Sequence, residues 1–241
     1  MGGKRTLILL RPRTQAEEFA AAVEARFPEV FAPIVAPLIS IVPVPALEPI
    51  DLSSVQALLF TSVNGVEAFA SLCSDRSLLA LCVGEMTAMA ASRLGFRAES
   101  AGGDVMSLAA LAVASRVPVG GRMLHVRGRH AAGNLLQELG SAGIEAGAIE
   151  VYDQIAVPLA DEVARVLAAG EDTIVTAFSP RSARLFADEV VKRNLPLSRA
   201  ATLALSAAAD HPLQSLSFGR RVVAAAPTRE AMLAGLRQLV D

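Results

Sequence analysis

The segment 58–69 (LLFTSVNGVEAF) joins a buried strand directly to a helix, and this junction limits the folds open to the chain. Residues 58–60 are apolar, as expected of a parallel strand covered on both faces. Two hydroxyls, an amide and a glycine follow before apolar residues resume at helical spacing. Such a turn leaves unpaired N–H groups at the helix N-terminus, which favour an anion. The alternative is an ordinary connection in which Ser62 or Asn64 only caps the helix.

The strand-then-helix pattern recurs along the whole chain. Strands are predicted at 6–10, 58–60, 79–83, 97–99, 122–126, 146–151, 173–177, 201–205 and 222–226. Helices are predicted from a cap at Thr14 to Phe27, and at about 87–94, 107–114, 134–142, 161–168, 182–192 and 229–239. Alternating strands and helices predict an α/β fold built on parallel sheets.

The apolar composition raises the question of a membrane segment. Mean hydropathy is +0.46, and residues 30–47 carry no charge over nearly a bilayer's thickness. Four prolines interrupt this stretch, and each removes a backbone donor from a helix. We therefore predict extended, linker-like strand over 32–49 and no transmembrane helix.

Composition also narrows the partners and the compartment. The formal net charge is −2, aromatic residues make up 4% and there is no Trp, which argues against nucleic-acid binding. The chain has only two cysteines, and the five apolar residues after Arg5 are too few for a secretory signal. We expect a cytoplasmic protein without structural disulfides.

A weak internal repeat links the two parts of the chain. Residues 60–65 followed by Phe69 align with residues 177–182 followed by Phe186. A strand ending in a small residue follows each, at 81–84 and at 203–206. The repeat predicts two like domains facing one another across a cleft, although chance similarity of Ala-rich units is an alternative.

The sequence indicates no metal site and no familiar catalytic motif. The three histidines have no Cys, Asp or Glu partner at the spacing of a metal site. The glycine pairs at 102–103 and 120–121 are too isolated for a phosphate-binding loop and are expected to make turns.

The predicted strand ends instead collect cationic and hydrogen-bond-donating side chains. These are Arg11, Arg13, Ser62, Asn64, Thr87, Arg127, Arg129, Ser179, Arg181 and Ser182. Open α/β sheets bind ligands at this edge. The set favours a polyanionic small molecule, while each arginine alone could be an ordinary surface residue.

The motifs together resemble the uroporphyrinogen-III synthase family over nearly the whole chain. The resemblance rests on short segments in order: LRP at 10–12 with Gln15, LFTSVNGV at 59–66, VG at 83–84 with TA at 87–88, LGF at 94–96, LHVRG at 124–128, VY at 151–152, and PT at 227–228 with Leu233.

The resemblance implies two similar flavodoxin-like or Rossmann-like α/β domains joined by a two-stranded linker, with the active site between them. Domain 1 would comprise residues 1–37 and 155–241, domain 2 residues 40–150, and the linker strands residues 38–40 and 151–157. We expect a monomer.

The resemblance also implies cyclisation of the linear tetrapyrrole hydroxymethylbilane to uroporphyrinogen III, with loss of water and inversion of the terminal ring. It implies neither metal nor cofactor. Water loss creates an electrophilic azafulvene, which the terminal pyrrole attacks through its substituted carbon to give a spiro intermediate. The enzyme's main task is to hold the chain so that this carbon meets the electrophile.

A tyrosine of the family falls at Tyr152, the only tyrosine of the chain. A phenol is protonated at neutral pH and can donate to the leaving oxygen. The alternative is a packing residue whose hydroxyl bonds to backbone. The substrate carboxylates are expected on Arg11, Ser62, Asn64, Gly84, Thr87, Arg127, Gly128, Ser179, Arg181 and Ser182.

One turn departs from the family pattern. Residues 206–209 read SAAA where the family usually has a Gly-Pro-Thr-like turn, so no side-chain role is assigned there. A non-catalytic sensor or binder of a tetrapyrrole or other polyanion, and a general two-domain solute-binding protein, remain as alternatives.

Overall fold

The computed structural model describes residues 4–44, 49–117, 120–130 and 134–240. It divides into two compact units. Unit 1 comprises Met1–Ser40 and Ile155–Asp241, and unit 2 comprises Ile41–Gln154. Part of the proline-spaced stretch, residues 45–48, lies outside the described residues.

The strands and helices alternate along the described chain. The strands are β1 (Arg5–Leu9), β2 (Phe31–Val35), β3 (Ile39–Pro43), β4 (Val55–Phe60), β5 (Leu79–Cys82), β6 (Arg97–Ser100), β7 (Arg122–Gly128), β8 (Ala146–Ala156), β9 (Thr173–Ala177), β10 (Ala200–Ala204) and β11 (Arg220–Val223). The helices are α1 (Arg13–Arg26), α2 (Val63–Leu72), α3 (Glu85–Arg93), α4 (Val105–Ala114), α5 (Leu135–Ser141), α6 (Asp161–Ala168), α7 (Pro180–Arg193), α8 (Ala207–Asp210) and α9 (Arg229–Val240).

The sheet of unit 1 has the order β11-β10-β9-β1-β2, and its neighbouring strands are parallel. Ile8 in β1 and Leu10 just past its end belong to the core formed with α6 and α7. Leu7 and Leu9 alternate with them and face α1 and α9. Both faces of the sheet are therefore covered, which explains why its central strands β9 and β10 are buried at every residue.

The sheet of unit 2 has the order β3-β8-β7-β4-β5-β6, and its parallel part runs from β8 to β6. Phe60, Phe69 and Phe96 pack together on one face. Leu59 and Leu108 belong to the core on the other face.

The two parallel sheets have the same strand order. Counting from β4 in unit 2 and from β9 in unit 1, both read 3-2-1-4-5, the order of the Rossmann-type doubly wound fold. The chain enters unit 1 at strand 4 of this order, because strands 4 and 5 of that sheet are β1 and β2. The predicted α/β fold is confirmed.

β3 and β8 pair at the edge of the second sheet. The Val44 amide donates to the Val151 carbonyl (3.0 Å), and the Val157 amide donates to the Leu38 carbonyl (2.9 Å). The residue numbers of the hydrogen-bonded partners therefore fall along one strand as they rise along the other, so the two strands run antiparallel. The assignment of 38–40 and 151–157 as a domain linker stays a prediction.

Two local predictions are corrected by the structure, and two short elements were missed. Helix α1 begins at Arg13 behind Pro12 and has no side-chain cap, so Thr14 is not the cap and Glu17 pairs with Arg13 instead. The start of the proline-spaced stretch is not linker but β2, an edge strand where Pro33 is tolerated because its missing N–H faces away from β1. The short helix α8 and a 3₁₀ turn at His211–Leu213 were not predicted.

The described part of the chain contains no helix with the length and apolar composition that a bilayer crossing requires.

Candidate functional site

Each sheet changes winding direction between its strands 1 and 4, and ligands of open α/β folds bind at this point. In unit 2 the pair is β4 and β7, with Phe60 opposite Val126. In unit 1 the pair is β9 and β1, with Thr176 opposite Leu9. We call the residues just past these strand ends the switch point of each unit.

Ser62 begins the switch point of unit 2 as the N-cap of α2. Its Oγ accepts a hydrogen bond from the Gly65 amide at 3.1 Å. The same oxygen lies 3.0 Å from the hydroxyl oxygen of Tyr152. Of the two N-caps considered, Ser62 is correct, and Asn64 lies inside the first turn of the helix.

Tyr152 is buried, with 5% of its surface exposed, and packs on the main chain of β7. A Cβ atom added to Gly128 would lie 2.6 Å from its Cζ and 2.7 Å from its Cε2. Only glycine at 128 therefore lets the hydroxyl-bearing end of the ring lie against the neighbouring strand. The Tyr152 hydroxyl bonds to a side chain, and the backbone-satisfied alternative does not describe it.

Arg127 directly precedes Gly128 in β7, and its guanidinium contacts a carboxylate and two backbone carbonyls. Its Nη2 lies 3.6 Å from a carboxylate oxygen of Glu150 and donates to the Arg129 carbonyl at 3.2 Å. Its Nε donates to the Gly128 carbonyl at 3.1 Å. The carboxylate of Glu150 offsets part of its positive charge and also lies 3.7 Å from Nε of Arg129.

A second polar pair lies in the strands leading to this switch point. His125 Nε2 and Thr61 Oγ1 are 3.2 Å apart, and the imidazole is 4% exposed. Burial, with a further contribution from the charge of Arg127, lowers the pKa of His125 to about 4. The imidazole is therefore neutral near neutral pH.

Gly84 and Thr87 lie at the start of α3, after the neighbouring strand β5. Gly84 is the N-cap, and a Cβ added there would meet no atom within 4 Å. Thr87 is buried at 6% exposure. Space for a ligand therefore lies beside the Gly84 backbone rather than beside the Thr87 side chain.

Ser179 is the counterpart of Ser62 in unit 1 and caps α7. Its Oγ accepts from the Ser182 amide at 3.2 Å and lies 2.9 Å from the Ser182 hydroxyl. Ser182 is 2% exposed, and its hydroxyl also donates to the Ser179 carbonyl. Arg181 lies in the first turn of the same helix.

Arg11 is the counterpart of Arg127, since it follows the strand that pairs with β9. Its guanidinium lies 4.2 Å from the centre of the Phe178 ring, and its buried Nε has no hydrogen-bond partner. Burial lowers the pKa of Arg11; the charge of Glu18 opposes this, and that of Arg229 adds to it. An arginine placed this way gains much from an added anion.

The departing turn at 206–209 retains a cap. Ser206 Oγ accepts from the Ala209 amide at 3.3 Å at the start of α8. The hydroxyl therefore serves the backbone of a four-residue helix.

Within the described residues, no cluster of three or more His, Cys, Asp and Glu side chains is arranged to hold a metal ion. Cys73 and Cys82 are both free. Burial raises the pKa of the Cys82 thiol to about 12, so it stays protonated.

The structure thus places the predicted site residues in two groups. Arg11, Ser179, Arg181 and Ser182 belong to the switch point of unit 1, and the remainder belong to unit 2. Direct contact is shown between Ser62 and Tyr152.

Two contacts of the site were not predicted from the sequence: the hydrogen bond between Thr61 and His125, and the ion pair between Arg127 and Glu150. The signal available for His125 was its place in a strand two residues before Arg127, on the same face by alternation. A partner on another strand leaves no such local signal.

Comparison with known proteins identifies the family. The family model described as uroporphyrinogen-III synthase HemD matches residues 17–234. No curated protein sequence matches the chain.

Two solved structures share the fold. The uroporphyrinogen-III synthetase of Helicobacter pylori 26695 is 17% identical with a TM-score of 0.66, covering 98% of this chain and 99% of its own. A mutant uroporphyrinogen III synthase of the extremely thermophilic bacterium Thermus thermophilus is 18% identical with a TM-score of 0.54, covering 98% of each chain. With the family model spanning most of its length, the chain belongs to the uroporphyrinogen-III synthase family.

Proposed function

We propose that the chain cyclises hydroxymethylbilane to uroporphyrinogen III, with inversion of the terminal pyrrole ring and loss of water. The single observation that carries this is the match of the family model over residues 17–234. The reaction serves tetrapyrrole biosynthesis and makes the chain a lyase.

The two switch points supply what a substrate with eight carboxylates requires. Each carries an arginine and a serine-capped helix N-terminus, and both features attract carboxylates. Arg11 is the stronger of the two arginine candidates, because its guanidinium is largely desolvated and, within the described residues, has no carboxylate partner among its hydrogen bonds and ion pairs, while Arg127 already meets Glu150.

Gly84 adds a third donor position. Its lack of a side chain leaves the first amides of α3 accessible to a carboxylate. The proposed binding set also includes Asn64, Thr87 and Gly128. Thr87 and Gly128 act through the backbone or through packing, since one is buried and the other contacts Tyr152.

Tyr152 is the proposed acid for loss of the hydroxymethyl oxygen. Its hydroxyl is held by Ser62 and its ring is fixed against Gly128. A fixed donor near the leaving oxygen lowers the barrier to water loss, while the rest of the site controls which carbon attacks. The domain boundaries, the monomeric state and the cytoplasmic location stay predictions.

Incubation with hydroxymethylbilane, followed by chromatographic separation of the isomers, tests the function. We expect mostly the inverted isomer III, whereas a reaction without protein gives isomer I by unassisted closure. Product that contains isomer I alone contradicts the proposal. Thermal stabilisation by hydroxymethylbilane combined with that result would favour the non-catalytic binder.

A further inference from the structure

We propose that Ser62 and Tyr152 act as one proton-donating pair, in which the Ser62 hydroxyl reaches the leaving oxygen and Tyr152 replaces the proton of Ser62. This refinement rests on the proposed function. It assigns Ser62 to the chemistry rather than to carboxylate binding alone.

The two hydroxyl groups of the pair differ in their exposure. Tyr152 is 5% exposed, whereas Ser62 is half-buried at the start of α2. The phenol ring cannot swing toward β7, because Gly128 already lies against its hydroxyl-bearing end. The serine is therefore the member of the pair that a ligand reaches more easily.

The hydrogen bonds of Ser62 Oγ occupy its acceptor positions. A hydroxyl has one donor and two acceptor positions. The Gly65 amide fills one acceptor position at 3.1 Å. A phenol is a stronger acid than an aliphatic alcohol, so Tyr152 is the better donor across the 3.0 Å contact and fills the other.

With both lone pairs occupied, the remaining function of Ser62 is to donate. Donors that bind an oxygen polarise its own O–H bond and strengthen it as a donor. The cap and the tyrosine together thus turn an ordinary serine into a directed acid. The aliphatic alcohol needs this help, because by itself it is too weak an acid for the task.

The proposed proton transfer conserves atoms and charge. The C–O bond of the hydroxymethyl group breaks with its electron pair on oxygen, which takes the Ser62 proton and leaves as water. The Tyr152 proton moves to Ser62 Oγ, and the pyrrole becomes an azafulvenium cation. The macrocycle closes through the hydrogen-bearing carbon of the terminal pyrrole. That carbon then loses its hydrogen as a proton, and this proton restores the phenol of Tyr152.

The equivalent position in unit 1 lacks the second half of the pair. Ser179 caps α7 in the same way, but its other partner is the Ser182 hydroxyl at 2.9 Å. Unit 1 has no tyrosine, since Tyr152 is the only one in the chain. Ser179 is therefore a matched control for the capping role of Ser62.

A double-mutant cycle separates a pair from two independent residues. The variants are Ser62→Gly, Tyr152→Phe and both together. Glycine is a tolerated N-cap, so α2 should persist. We expect each single change to lower kcat for isomer III about 100-fold, and the double variant to fall no further than the worse single.

The control cycle combines Ser179→Gly with Tyr152→Phe. The fold-changes of the two substitutions in kcat for isomer III should multiply in the double variant. Effects of Ser62→Gly and Tyr152→Phe that also multiply would overturn the pair. Ser62→Thr, which keeps a hydroxyl and a cap, should restore most of the kcat lost in Ser62→Gly.

A spectroscopic measurement decides the direction of the bond without substrate. The chain has one Tyr and no Trp, so the tyrosine ring doublet in its ultraviolet Raman spectrum comes from Tyr152 alone. We expect the pattern of a donating phenol, lost in Ser62→Gly and kept in Ser179→Gly. An accepting phenol, or a spectrum that Ser62→Gly does not alter, would overturn the inference. Failure of the wild-type protein to form isomer III would instead overturn the proposed function.

Discussion

The two switch points have the same backbone plan and different chemistry. In both, a serine caps the helix after strand 1 and an arginine lies near the carboxyl end of strand 4. In unit 2 the strand-end residue Thr61 bonds to His125, and the serine bonds to Tyr152. In unit 1 the residue at the place of Thr61 is Phe178, which stacks under Arg11.

We propose that this difference assigns the proton transfer to unit 2 and carboxylate binding to unit 1. Unit 2 holds two hydrogen-bonded side-chain pairs, Thr61 with His125 and Ser62 with Tyr152, and its arginine meets Glu150. Unit 1 offers a partly desolvated arginine that lies on the Phe178 ring. Under this proposal, the same backbone arrangement carries a proton-transfer site in unit 2 and a carboxylate site in unit 1.

The largest expected effect comes from Gly128→Ala, which removes the space that the Tyr152 ring occupies in unit 2. The new Cβ would overlap the Tyr152 ring at 2.6 Å and push its hydroxyl away from Ser62. We expect the free energy of unfolding to fall by about 1–3 kcal/mol, and kcat for isomer III to fall at least as far as in Tyr152→Phe. Urea unfolding and initial rates measure both.

Gly140→Ala is the control for that substitution. It lies on an exposed helix position where an added Cβ meets nothing within 4 Å. It should raise the free energy of unfolding by about 0.5–1 kcal/mol. Equal losses in both variants would show that Gly128 has no special role.

The buried His125 should make the stability of the protein depend on pH. Its folded pKa of about 4 lies below the ordinary value of 6.5, so the unfolded state binds more protons between these values. Its contribution to stability is full above about pH 6.5 and is lost as pH falls toward 4. Going from about pH 7 to about pH 5 should cost about 2 kcal/mol through this group.

Urea unfolding of His125→Gln measures that contribution. The variant should lose less stability than the wild type between the two pH values. The same pH-dependent loss in both proteins would contradict the assignment.

The smallest expected effects are those of replacing the two arginines, and they concern KM. Arg11→Ala should raise KM about tenfold, as expected for loss of a charged hydrogen bond of about 1.4 kcal/mol. Arg127→Ala should raise it only about threefold, because Glu150 already offsets its charge. Steady-state kinetics measure both, and a larger effect at Arg127 would reverse the proposed division between the units.

The helix caps of the site were predictable from the sequence, because each depends on residues close together in the chain. The position of Ser62 before a helix and after a buried strand identified it as a candidate cap, because both features lie within about ten residues. The repeat at 177–182 placed Ser179 in the same role, and both serines are caps in the structure. The failed cap at Thr14 shows the limit: Pro12 starts α1 by its fixed φ, and no side-chain cap is formed.

By itself, the sequence determined the alternation of strands and helices, the α/β fold and, through its ordered motifs, the family, which the family model confirms. These features depend on the periodicity and order of residues along the chain. Only the tertiary structure decided that Tyr152 meets Ser62, that Thr61 meets His125 and that Glu150 holds Arg127. Those contacts join residues 23 to 90 positions apart, and strand order and register alone bring them together.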